Sequence, residues 1–227
     1  MTETNRKYLG VRVYFGALAA LLTYTLIAQC ILTHHEGRSI VNTFSYFTIQ
    51  SNVLVLVTSA ILAVAPAVAG AWWRLLRLAA VVGITVTGIV YSLILAKYVH
   101  LSGAALLYTH IFHYISPLAT ILGFLFIEPR LRLRWRDMAF MVWPVAWLVY
   151  TMVRGAVAHP EFTGFGETPS HYPYGFLDVD KVPLSEVTLA IVIIATLLSA
   201  IGAAYIWLDR RRSHNRPDSK REALREQ

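Results

Sequence analysis

Cysteine is nearly absent: Cys30 is the only one among 227 residues. An internal disulfide is therefore excluded, as is any metal centre built on cysteine thiolates. Cys30 lies near the end of the first apolar run, where a lone thiol behaves as a small buried hydrophobe. Charge is also scarce. Asp, Glu, Lys and Arg make up 15% of the chain, and 56% is hydrophobic, whereas a soluble domain carries about a quarter charged residues. That balance excludes an ordinary water-soluble domain and points to a bilayer. Acidic residues are the scarcer sign, 13 against 20 basic ones, for a net charge of +7. The basic residues gather at the ends of apolar runs instead of covering a surface, which is the pattern of topology determinants and not of a nucleic-acid partner. The first apolar run lacks a small-x-small cleavage site and is too long for the core of a signal peptide, so it reads as an uncleaved first span. Interrupted helices in matching positions of two halves are lacking too, which disfavours a transporter built from inverted repeats.

What is present is a series of six apolar stretches. A hydrocarbon core of about 30 Å needs about 20 residues of helix. Residues 11–32, 47–64, 75–98, 104–127, 138–157 and 185–208 qualify. The sequence therefore predicts an all-α, polytopic membrane protein with six transmembrane helices. A six-helix transmembrane domain over residues 1–209 is followed by a charged, apolar-poor tail over 210–227, expected to be disordered on the membrane surface. Only the fifth connection, residues 158–184, is long. Counting Lys and Arg assigns 16 to the N-terminal tail, the second and fourth loops and the C-terminal tail, against four (Arg38, Lys97, Arg154 and Lys181) to the other side. Both termini are thus expected to be cytoplasmic.

Two spans carry polar clusters where hydrocarbon makes them costly, which marks a candidate functional site. Phe47-Thr48-Ile49-Gln50-Ser51-Asn52 opens the second, and His110-Ile111-Phe112-His113, followed by Pro117, lies in the fourth. Both spans are expected to run from outside to inside. That puts Thr48 within about two turns of the outer end and His113 about two to three turns in, at about 1.5 Å per residue. At about 100° per residue, Ser45, Thr48, Ser51 and Asn52 share one face, as do Thr109, His110, His113, Ser116 and Thr120 on the other helix. Two such faces are better buried against each other than turned to lipid. Pro117 lacks an amide hydrogen and frees the carbonyl four residues back, that of His113. A hydroxyl and an imidazole are the minimum pair for nucleophilic acyl transfer. Against this, a threonine in a membrane helix ordinarily bonds the carbonyl one turn back, here Phe44, and an asparagine ordinarily joins helices.

With Arg154-Gly155 and Tyr172-Pro173-Tyr174-Gly175-Phe176-Leu177-Asp178, these motifs resemble the bacterial six-pass (Pr-six-Pr) membrane proteins. More distantly, they are similar to the animal androgen-induced and androgen-dependent TFPI-regulating proteins. The resemblance runs from the first span to the sixth. It implies an intramembrane hydrolase of fatty acid esters of hydroxy fatty acids, with Thr48 as nucleophile and His113 as base. It also matches Tyr174 to Leu177 to a Tyr-Pro-Phe-Leu segment in which Gly175 replaces the proline, and it implies the bacterial inner (cell) membrane.

The expected function is hydrolysis of a lipid acyl ester, with the bilayer and the ester as partners and neither cofactor nor metal required. Gln50, Asn52, His110, Tyr174, Phe176 and Asp178 are candidates for oxyanion stabilisation or substrate binding, with Asp178 also a candidate to orient the histidine. The long connection is expected to cap the site. The alternative is a non-enzymatic protein: a small-ligand or metal carrier using the outer histidines (His34, His35, His100, His110, His113, His159 and His171), or a structural partner.

Overall fold

The computed structural model describes residues 8–163 and 169–214, with side chains through Arg212. Six helices in it are long and apolar enough to cross a membrane: Leu9–His35, Phe47–Val64, Ala71–Tyr98, Gly103–Ile127, Trp135–Ala158 and Leu184–Arg212. These are the first to sixth spans below. Each contains its expected stretch and extends it by a few residues, except the second, whose bounds coincide. The sixth helix continues to His214, past the expected domain limit, and the rest of the expected tail lies outside the described residues. Arg74 and Arg77, expected in a loop, belong to the third span.

The third span is the hub. Of its most apolar window 61% is buried, against 22% for the fifth span and 17% for the sixth. It packs on the second, fourth and sixth spans and on the start of the fifth, while the first span lies along the second. Close approach on this hub uses small residues. A methyl on Gly88 would stand 3.1 Å from the Pro117 ring and 3.3 Å from the His113 carbonyl, so glycine there lets the third and fourth spans meet beside the polar cluster.

At one end of the bundle, ionic groups tie the spans together. Arg77 is fully buried; its Nε donates to Glu128 at 2.8 Å and its Nη1 to the Thr58 hydroxyl at 3.1 Å. Burial pushes the Glu128 carboxyl up, and the Arg77 guanidinium pulls it partly back. Arg74 Nε donates to Asp137 at 2.8 Å, and Asp137 also accepts from the Arg134 amide. Charges taken out of water in this way are retained only when paired and hydrogen-bonded. Arg12 donates to the Ala63 and Val64 carbonyls, satisfying the last turn of the second span.

The opposite end holds the short helix Ile40–Ser45 and the long connection. The connection is pinned by the mutual backbone bonds of Phe162 and Ser170, 2.8 and 3.0 Å. Beyond them, Tyr172, Tyr174 and Leu177 are buried against the third and fifth spans and the start of the sixth. Gly155 admits this packing, because a methyl there would overlap the Tyr172 ring.

Candidate functional site

Thr48 owes its available hydroxyl to a break in the chain. Tyr46 is extended (φ −68°, ψ 133°) and separates the helix Ile40–Ser45 from the second span. Thr48 is therefore the second residue of a new helix, and Phe44, four residues back, belongs to a different one. The back-bond that occupies Thr25, Thr58 and Thr85 does not occupy Thr48. The Phe44 carbonyl instead accepts from Gln50 Nε2 at 3.2 Å, so Gln50 is spent on the helix junction.

The hydroxyl of Thr48 lies 3.3 Å from His113 Nε2. His113 sits in a wider five-residue turn, Ile111–Ile115, within the fourth span, a distortion that recurs at functional sites. Its Nδ1 is 2.8 Å from the Thr109 carbonyl. A carbonyl only accepts, so Nδ1 carries the proton, and in the neutral ring Nε2 presents its lone pair to Thr48. The orienting group is thus a main-chain oxygen and not Asp178. Asp178 is buried elsewhere, accepting from the Asp180 amide at 3.1 Å and lying 3.9 Å from Lys181.

Tyr91 covers one face of the imidazole, with centroids 3.9 Å apart and planes 23° apart. Sequence reasoning did not single out Tyr91; its only local signal is a phenol near the end of an apolar span. Tyr174 arrives from the long connection. Its hydroxyl accepts from the Thr48 amide at 3.3 Å and lies 3.4 Å from the Thr48 hydroxyl. Burial raises the Tyr174 phenol above its ordinary value, partly offset by its bonds to Thr48. It therefore remains a neutral hydroxyl with its own proton to donate.

Asn52 has a different task from the one proposed for it. Its amide group donates to the Thr48 carbonyl at 2.9 Å and to the Phe112 carbonyl at 3.2 Å. Both hydrogens are committed, so Asn52 joins the second and fourth spans and does not serve an oxyanion. The carbonyl freed by Pro117 also differs from the expected one. The Ser116 amide donates five residues back, to Ile111. In that register Pro117 deprives Phe112 of a donor, and Asn52 supplies the replacement. The same wide turn upsets 100° arithmetic. His110 is exposed and leans on Tyr114, with centroids 5.6 Å apart, while Ser116 and Thr120 are buried.

Two spaces, one apolar and one mixed, meet at Thr48 and Tyr174. One is an apolar crevice of about 100 Å³ between the fifth and sixth spans, lined by Trp147, Phe176, Ile191 and Ile194 among others. Phe176 stacks on Tyr174 at 5.3 Å between centroids. The other is a larger chamber of about 700 Å³ with a mixed lining, in which Arg38, Thr109 and His113 alternate with apolar groups such as Ile49, Leu95 and Phe112.

The histidines expected on the outer side do not converge. His34 and His35 are 6.3 Å apart between centroids, His159 and His171 are 4.9 Å apart in the long connection, and His113 is engaged with Thr48. Among the described residues no group of three or more His, Cys, Asp or Glu is placed to hold a metal ion.

Comparisons of the chain with protein-family models, with curated protein sequences and with solved structures find no match.

Proposed function

We propose that this protein is an intramembrane hydrolase of lipid acyl esters that uses Thr48 as nucleophile and His113 as general base. The observation that carries the reading is the contact of 3.3 Å from the Thr48 hydroxyl to His113 Nε2, with Nδ1 held at 2.8 Å by Thr109. Hydroxyl, imidazole and main-chain oxygen stand in series, the arrangement that a nucleophile, its base and an orienting group require. His113 takes the hydroxyl proton as Thr48 Oγ attacks the ester carbonyl. The Tyr174 hydroxyl, already accepting from the Thr48 amide, donates its proton to the developing oxyanion. His113 returns its proton to the departing alcohol oxygen, leaving an acyl-threonine. Water entering through the chamber then loses a proton to His113 as it attacks the acyl carbonyl, and His113 returns that proton to Thr48 Oγ as the carboxylic acid departs. In this scheme the ring of Tyr91 holds the imidazole in plane and stabilises its charged form through its π face.

The acyl chain is assigned to the apolar crevice, reached sideways from lipid between the fifth and sixth spans, and the polar part of the ester to the chamber. The motif resemblance to the six-pass family supports the same pair of residues. Both termini are assigned to the cytoplasm of a bacterial inner-membrane protein. Setting aside Arg74 and Arg77, which are buried and paired, the basic residues still divide 14 to 4. The reaction centre then lies in the outer half of the bilayer.

The test is labelling of the purified protein with a fluorophosphonate, alongside turnover of a medium-chain ester in neutral detergent. Thr48→Ala and His113→Ala should each abolish both signals while thermal unfolding stays close to wild type. The double variant should be no worse than either single one, because groups acting as one unit are non-additive. Folded wild-type protein that takes no label and cleaves no lipid ester would dispose of the hydrolase reading.

A further inference from the structure

Beside the chamber, at the same end of the bundle, lies a second cavity of about 530 Å³ whose lining is mainly polar, bounded by the short helix Ile40–Ser45, the end of the fifth span and the start of the long connection. Arg38, Thr43, Tyr46 and Thr163 border both spaces, so the second cavity adjoins the one that reaches Thr48. The two arginines in its wall differ. Arg38 is neutralised by Glu36. Arg154 is part-buried, and its hydrogen-bond partners among the described residues are neutral: Nη2 donates to the Asn42 side-chain oxygen at 2.6 Å and Nη1 to the Ser45 hydroxyl at 3.3 Å. Its guanidinium also faces the Phe162 ring, 5.7 Å from the centroid. Glu161 lines the same cavity, but among the described residues no carboxylate lies within 4 Å of Arg154.

A guanidinium fixed on three sides by an amide, a hydroxyl and an aromatic face is oriented, and no carboxylate among the described residues neutralises it. Its rigid fork suits an oxyanion with two equivalent oxygens. The Asn42 amide is held by the Glu161 carbonyl at 2.7 Å, so the acceptor that aims Arg154 is itself fixed. Ser45 lies one residue before the break that sets Thr48 in place. A charge held by Arg154 is thus coupled in position to the nucleophile.

We propose that Arg154 is the anion-binding centre of this cavity and that it recognises the carboxylate or phosphate of an amphiphile whose chain lies toward Thr48. This rests on the hydrolase reading for its catalytic meaning, where it selects esters carrying a negative charge on the polar side of the scissile bond. The binding itself does not depend on turnover.

The experiment measures binding calorimetrically in neutral detergent, with dodecanoate, dodecyl phosphate and uncharged dodecanol as probes. Wild type is compared with Arg154→Gln, which keeps hydrogen-bond donors toward Asn42 and Ser45 but loses the charge, and with Arg154→Lys, which keeps the charge. The anionic probes should bind Arg154→Gln at least tenfold more weakly, about 1.4 kcal/mol, with dodecanol unchanged and Arg154→Lys intermediate. Preference for dodecanoate would assign a carboxylate, and preference for dodecyl phosphate a phosphate headgroup. Equal weakening of all three probes, or anionic binding unchanged in Arg154→Gln, would overturn the proposal. Charge-dependent binding without any ester cleavage would leave the anion site standing and remove the hydrolase reading. Cleavage of charged and uncharged esters in the same ratio by wild type and Arg154→Gln would do the reverse.

Discussion

Replacing Tyr174 by phenylalanine separates the chemistry of the long connection from its packing. The ring would keep its neighbours, with Tyr46, Phe176 and Trp147 centred 5.7, 5.3 and 6.0 Å away. The hydroxyl that accepts from the Thr48 amide at 3.3 Å and lies 3.4 Å from its Oγ1 would go. In the ground state this deletes two long hydrogen bonds, at about 0.5 kcal/mol each a net cost of about 1 kcal/mol, or a fall of about 2–4 °C in Tm for a chain of this size. In the transition state it deletes a donor to the oxyanion. Loss of one such donor lowers kcat by about 10²–10³, equivalent to about 2.7–4 kcal/mol at about 1.36 kcal/mol per decade. The predicted effect on kcat therefore exceeds the effect on stability roughly threefold, and KM should hardly change because the contact is made in the transition state. Steady-state hydrolysis of a medium-chain ester and thermal unfolding in the same detergent measure both quantities. Since burial keeps the phenol protonated beyond its ordinary range, wild-type activity should show no alkaline loss traceable to Tyr174 below about pH 10. A kcat within threefold of wild type, with Thr48→Ala inactive, would refute the assignment of Tyr174 as donor.

Glu128→Ala should destabilise the bundle by about 3–5 kcal/mol, because it strands the Arg77 guanidinium where no water reaches it. Thermal unfolding should show Glu128→Gln, which keeps an acceptor, to be the milder change. Gly155→Ala should cost about 1–3 kcal/mol by driving a methyl into the Tyr172 ring. Because Tyr172 and Tyr174 share one cluster, the ester activity of the folded fraction should fall as well. Phe176→Ser should impair turnover of long-chain esters more than short soluble ones, since the ring lines the apolar crevice and burial is worth about 25 cal/mol per Å²; equal losses would give the ring a purely structural role. A reporter fused after Gln227 should be active only in the cytoplasm, and one inserted in the 158–184 connection only outside it.

The six spans were legible in the residues alone, because length and apolarity in one dimension decide whether a helix can cross hydrocarbon, and each span lies on its expected stretch within a few residues. The sequence also singled out Thr48 and His113, since polar groups in apolar runs are visible without a structure. Three things depended on the tertiary arrangement. The extended Tyr46 frees the Thr48 hydroxyl from its local carbonyl, and the wide turn at Ile111–Ile115 aims His113 while turning His110 outward. Periodicity arithmetic assumes an unbroken 3.6-residue helix, so neither departure was legible. Partners distant in the chain were equally hidden. Tyr91 lies 22 residues from His113, Tyr174 126 residues from Thr48, and Arg154 109 and 112 residues from Ser45 and Asn42. Hydropathy places helices in the membrane, but which faces meet is decided by side-chain shape at the contacts, such as Gly88 on Pro117 and Gly155 beneath Tyr172. Asn52 shows the same division: the sequence marked it as a buried polar group, and only the carbonyls of Thr48 and Phe112 around it made it a tie between spans and not a catalytic donor.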